Sequence, residues 1–270
     1  MKKFILSTAA IFFTSLLLLA HEFWLHPNKF IFQPGDLINI KFLVGENFEG
    51  VNWSGSNKSI QSLELHFTNV TDDLAEHISD STGDSLQFAI YEEGTYMISY
   101  NSVNKFIELD PTKFLDYLKE DGLQNAIDYR IANNETDSFG REYYQRSVKT
   151  IFQVGTQTTA VNKKETNLPL DIIPLQNPYE LKDAGVIPSI TVKVLFQKKL
   201  LTNQRIIVWH RLNDQTIKSE YTTDEKGQIR FPLSLDGRWM ISTVKMERLN
   251  DDSTAQWQSY WGSCTWGYEK

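Results

Sequence analysis

The chain has 270 residues, 41% of them hydrophobic and 23% charged, a composition that supplies ample core for a folded protein. Its net charge of −7 excludes the broad basic face that a nucleic-acid backbone requires. A single cysteine, Cys264, excludes an intrachain disulfide, so stability must come from packing.

In chain order, Lys2 and Lys3 precede an apolar run from Phe4 to Leu19, broken only by Ser7, Thr8, Thr14 and Ser15. Ala20 then stands before His21. A positive start, an apolar stretch and a small residue at the cut form the pattern of a secretory signal peptide. Residues 1–20 are therefore expected to be removed, leaving a periplasmic or secreted protein whose first residue is His21. No later apolar run reaches the ~20 residues a membrane helix needs, so no span is expected in the mature form. No cysteine lies near the cut, which argues against a lipid anchor.

Residues 21–109 read as an N-terminal β domain. Phe30–Phe32 meets the turn signal Gln33-Pro34-Gly35-Asp36, and Leu37–Val44 alternates imperfectly. Leu63, Leu65 and Phe67 alternate with Glu64 and His66, which predicts a strand with His66 toward solvent. Phe88–Ile90, the Glu92-Glu93-Gly94 turn and Tyr96–Tyr100 follow. Residues 110–148 read as a helical insertion: Asp110 before Pro111 is a cap-and-start pair, Phe114, Leu115 and Leu118 keep helical spacing, and Gly122 stops the run. Leu123 to Ile131 predicts a second helix. Arg141–Lys149 is compatible with a short helix or the lead into a strand. Residues 149–270 read as a C-terminal β-sandwich domain, with strands expected over Thr191–Phe196, Arg205–Trp209, Ile229–Phe231, Gly237–Val244 and Gln258–Trp261. Residues 162–188, rich in Pro and Asn, read as an ordered connection. The fold class is thus mostly β: two sandwich-type, Ig-like units with a small helical insertion between them.

The chain lacks G-x-S-x-G, H-E-x-x-H, C-x-x-C and a Gly-rich phosphate loop. Glu92 and Glu93 are neighbours in a turn and point apart, so they form no general acid/base pair. Asp224-Glu225-Lys226-Gly227 reads as a hairpin turn, and Cys264 as a small buried hydrophobe. Trp257, Tyr260, Trp261 and Trp266 read as a buried aromatic edge.

Of five histidines, His21 is chemically distinctive. At a processed terminus its α-amine (pKa ~8) and imidazole (~6.5) can chelate one cation at little proton cost. Amine and imidazole nitrogens suit Ni, Cu and Zn. His26 lies five residues on, His210 ends a predicted strand, and Glu22 offers a carboxylate. The candidate metal site is therefore His21, His26, His210 and Glu22, with a divalent transition metal ion as the cofactor. His66 and His77 are assigned to solvent.

Longer stretches carry a resemblance. His21-Glu-Phe-Trp-Leu-His-Pro27, Pro34-Gly35-Asp36 and Val44-Gly-Glu-Asn-Phe-Glu-Gly50 resemble the mature start of an uncharacterised family of exported bacterial proteins. The likeness continues through Phe114–Leu118, Arg141–Lys149, Ile173–Pro178, Thr223–Gly227, Gly237–Ile241 and Trp257–Trp261, across nearly the whole mature chain. The family is labelled as a periplasmic component of nickel or cobalt transport. The resemblance implies a metal role at His21, and an envelope transporter or outer-membrane receptor as partner. The leading expectation is an exported, non-enzymatic, metal-binding accessory protein. A non-catalytic β-sandwich module binding a protein or glycan is the alternative, and an N-terminal-histidine copper oxidase a lower one.

Overall fold

The computed structural model describes residues 22–53, 55–78, 85–182 and 187–269. The expected leader and His21 lie outside the described residues. Among the described residues the chain is mostly β, with two α-helices and three sheets.

The central layer is a ten-stranded sheet. Its main path runs Gln215–Thr222, Arg205–Leu212, Arg238–Arg248, Trp257–Gly267, Gly140–Val154, Gly94–Ser102, Ile60–Phe67 and Val70–Asp73. Short strands Ile31–Phe32 and Lys105–Leu109 also pair with Gly140–Val154. The sheet joins strands from both ends of the chain through a parallel pairing of Gly140–Val154 with Trp257–Gly267. Strands on either side of residues 109 and 149 therefore share one sheet.

Two smaller sheets cover opposite faces of this layer. One consists of Glu22–Pro27, Leu37–Glu46, Glu49–Asn52 and Ser85–Ala89. It packs Phe23, Leu25, Phe42 and Trp53 against Tyr100, Val148 and Phe152. The other consists of Leu170–Pro174, Ser189–Phe196, Lys199–Leu200 and Gln228–Pro232. It packs Ile172, Val192 and Phe231 against Ile151, Val208 and Cys264. Val148 and Phe152 project to one face of their strand and Ile151 to the other, as period-two alternation demands. Burial on both sides explains why 147–154 is continuously buried and why a run of Val, Thr, Ile and Phe forms a strand there rather than a helix. The same face-to-face cover corrects the reading of His66. Its ring is 2% exposed, with Nδ1 3.2 Å from Thr71 Oγ1 and Nε2 2.8 Å from Ser99 Oγ.

The insertion consists of α1 (Pro111–Glu120) and α2 (Gln124–Ala132). Asp110 caps α1, its side chain accepting from Lys113 N at 3.0 Å. Gly122, at φ +67°, lets the chain turn away after α1. Phe114, Tyr117 and Leu118 bury one face of α1 against Met246 and Trp257. The stretch read as a connection, 162–188, contains the buried strand Leu170–Pro174, whose Pro174 obscured it in the sequence.

Candidate functional site

The N-terminal strand Glu22–Pro27 sets the geometry of the candidate site. Phe23 and Leu25 enter the core, whereas Glu22, Trp24 and His26 project to the opposite face. On one side the strand pairs with Leu37–Glu46, Glu22 opposite Gly45 and His26 opposite Lys41. On the other, two hydroxyls substitute for a neighbouring strand: Ser263 Oγ donates to Phe23 O at 2.6 Å and Thr265 Oγ1 to Leu25 O at 2.9 Å. Trp24 anchors the outer face against Phe48, Ile207, Trp209 and Met240. Gly50 permits that contact, since a Cβ there would lie 2.5 Å from Trp24 Cη2.

Glu22 opens into a small cleft of about 90 Å³ that also exposes Glu46, Glu120, Asp121, Arg205 and Lys218. Four carboxylates thus meet two cations. The chain ending of α1 supplies Glu120 and Asp121; the hairpin Arg205–Thr222 supplies the cations. Arg205 is engaged elsewhere: its Nε and Nη2 fork onto Glu220 at 3.0 and 2.5 Å, and Nη1 donates to the end carbonyl of Glu120 at 2.8 Å. Lys218 lies over the Trp209 ring at 5.1 Å. Burial pushes the Glu22 carboxyl up to about 7, with Glu46 and Glu120 adding to the shift and Lys218 opposing it. Burial also pushes Asp121 up to about 8, aided by Glu22 and Glu120. Its place after the last turn of α1, at the negative end of the helix dipole, acts in the same sense.

His26 stands four residues from Glu22 on the same extended strand, roughly 13 Å away by strand rise. The strand therefore does not bring these two side chains to one ion. His26 is held neutral: burial, then the charges of Arg238 and Lys41, bring it down to about 4. Arg238 Nη1 donates to its Nε2 at 3.5 Å, and its Nδ1 is buried without a partner. His210 stacks on Trp239, centroids 4.1 Å apart, with Nε2 3.1 Å from Asp236 O. Among the described residues no three His, Cys, Asp or Glu side chains stand close enough to hold a metal ion.

Other sequence readings resolve simply. Asp224 Oδ1 accepts from Lys226 N and Gln228 N, the geometry of a turn. Cys264 is fully buried, which pushes its thiol up to about 12. Trp257 and Trp266 are buried and Trp261 stacks on Tyr117. The sequence reading missed Glu46, Glu120 and Asp121, because exposed-looking acids carry no periodic signal and meet only through the fold.

The sequence profile of a family described as a domain of unknown function (DUF4198) matches residues 18–247. The chain belongs to that family. Two solved structures show weak likeness. One is the three N-terminal domains of the bacteriophage RB49 Highly Immunogenic Outer Capsid protein (Hoc), 9% identical, covering 93% of this chain and 100% of that one at a TM-score of 0.19. The other is a DUF3823 family protein from Bacteroides uniformis, 11% identical, covering 86% and 96% at 0.20. Scores this low carry no argument about fold or function. No protein of curated function matches the chain. Among the described residues no helix is long and apolar enough to cross a membrane.

Proposed function

We propose that this protein is exported, begins at His21 once processed, and binds a divalent transition metal as an accessory to metal uptake or handling. In this reading the α-amine and imidazole of His21, with the carboxylate of Glu22, hold the ion. The observation that carries the reading is the cleft at Glu22: a carboxyl destabilised in its charged form by burial and by neighbouring acids gains from a bound cation. Glu46, Glu120 and Asp121 would lower the potential around the ion without all ligating it. His26 and His210, each engaged elsewhere, stay outside this ligand set. Resemblance to the nickel and cobalt family suggests an envelope transporter as the partner.

The test is calorimetric titration of the processed protein with Ni, Co, Cu and Zn ions, beside a form carrying one extra alanine before His21. The reading expects micromolar or tighter binding of at least one metal, weakened about a hundredfold by the extra residue, which converts the amine to an amide. Glu22→Gln should weaken binding about tenfold, the scale of one lost ligand interaction. Equal affinities with and without the alanine would end the proposal.

A further inference from the structure

Beneath the N-terminal strand, on the side opposite Glu22, lies a set of cations that no carboxylate among the described residues pairs with. Arg146, on the strand Gly140–Val154, places its guanidinium 4.6 Å from the Phe23 ring and 5.6 Å from the Tyr144 ring. Lys105 stands directly across the ladder from Tyr144, with its ammonium 5.3 Å from the Trp53 ring. Phe23, Trp53 and Tyr100 are in mutual contact, with centroids 5.2 to 6.2 Å apart. Both cations therefore rest on one aromatic floor. Among the described residues neither side chain makes a hydrogen bond or ion pair. The hydroxyl of Tyr100, a fully buried residue, also has no partner.

This arrangement has an uneven chemistry. A ring face attracts a cation's charge but accepts none of the in-plane N–H donors of a guanidinium. Arg146 carries five such donors, Lys105 three and Tyr100 one, and among the described residues no side chain accepts a hydrogen bond from them. Burial, then the charge of Arg146, holds Lys105 below its ordinary range, and burial does the same to Arg146. Two desolvated like charges on an apolar floor are unfavourable unless a negative group joins them. A guanidinium stacked on an aromatic ring with its edge free is also the orientation that forks onto carboxylate or phosphate oxygens.

We propose that Arg146, Lys105 and Tyr100, floored by Phe23, Trp53 and Tyr144, form a binding site for an oxyanion group borne by a small ligand. Arg146 supplies the bidentate contact, Lys105 the second charge, and Tyr100 a directional donor from below. The aromatic floor favours a ligand with a flat or apolar part beside its anionic group. Glu22 faces away, across the strand, so this site is separate from the proposed metal cleft.

The processed protein, titrated with sodium phosphate, sodium sulfate and sodium citrate at constant ionic strength, with sodium chloride as the control, tests the proposal. Expected is saturable binding of at least one oxyanion, seen by calorimetry and as a change in tryptophan fluorescence through Trp53, and no saturation with chloride. Arg146→Gln should weaken it at least about tenfold, and Lys105→Gln and Tyr100→Phe about threefold each, on the scale of charge-assisted and neutral hydrogen bonds. Lys105 lies on the short strand Lys105–Leu109 and Arg146 on the central Gly140–Val154, so Lys105→Gln keeps the test open should Arg146→Gln fail to fold. No saturable binding of any of the three oxyanions overturns the proposal, as does binding that Lys105→Gln and Tyr100→Phe leave unchanged. An added residue before His21 should not alter oxyanion affinity, which separates this outcome from that of the metal titration.

Discussion

Glu142 offers a quantitative test of how the helical insertion is held down. Its carboxyl is 2% exposed beneath α1, where Tyr117 OH donates to Oε1 at 3.1 Å and Ser259 Oγ donates to the same oxygen. Oε2 is buried with no partner. Burial dominates these two hydrogen bonds and pushes the pKa up from 4.5 to about 7. The folded state therefore holds this proton more tightly than the unfolded chain does. Stability from Glu142 is complete below pH 4.5 and is lost as the pH rises toward and through 7. With these two values the loss between pH 5 and pH 8 is about 2.5 kcal/mol.

Glu142→Gln removes that titration. Its Oε1 still accepts from Tyr117 and Ser259, and its amide nitrogen stands where the neutral acid carries its own unmet O–H, so the variant mimics the protonated form. The variant should thus match the parent near pH 5 and be the more stable of the two by about 2.5 kcal/mol at pH 8. Urea unfolding followed by tryptophan fluorescence at pH 5, 6, 7 and 8 measures the difference directly. Other groups titrate in both proteins and cancel in the comparison. A difference constant across that range would show that Glu142 does not hold its proton in the fold, and would refute the reasoning.

Three further outcomes follow from the packing. Gly50→Ala brings a Cβ to 2.5 Å from Trp24 Cη2 and 2.9 Å from Val44 O, so thermal unfolding should show a loss of about 1–3 kcal/mol. Lys149 and Asp171 form an ion pair with both side chains 1% exposed, so Lys149→Met should cost about 3–5 kcal/mol by stranding a buried carboxylate. Adding Asp171→Asn should restore much of that loss in urea unfolding, and failure to restore any would show that packing, not charge, set the cost. His66, brought down to about 4 by burial and then by Lys164 and Lys149, should keep its NMR ring shifts constant from pH 8 to pH 5.5. A midpoint near 6.5 would contradict its burial.

The β character, both helices and the Asp110 cap are legible in the sequence because each rests on local chemistry: alternation, spacing, a side-chain acceptor before a proline. The same local rules misplace His66. Alternation shows which residues share a face of a strand, but not whether a second layer covers the polar one. The Leu170–Pro174 strand was hidden because a Pro-rich stretch suggests a loop, whereas this one sits at a sheet position that needs few donors from it. Of the candidate site, Glu22 could be named from its place beside His21. Glu46, Glu120 and Asp121 come from a hairpin and a helix end about 25 and 100 residues away, and no spacing in the sequence links them.

The N-terminal strand does more than present a terminus. Because successive side chains alternate, Glu22 and Phe23 face opposite sides, and the charges around them are sorted in the same way. Acids gather about Glu22, and cations that no acid among the described residues pairs with rest on Phe23 and its ring neighbours. The hydroxyls of Ser263 and Thr265 fix the strand in this position by its carbonyls, so they hold the two sets apart. Ser263→Ala with Thr265→Ala should therefore weaken metal and oxyanion binding together, with no change to a ligand in either set. If both affinities survive while thermal stability falls, the strand is held by Trp24 and the core alone, and the separation does not depend on those two hydroxyls.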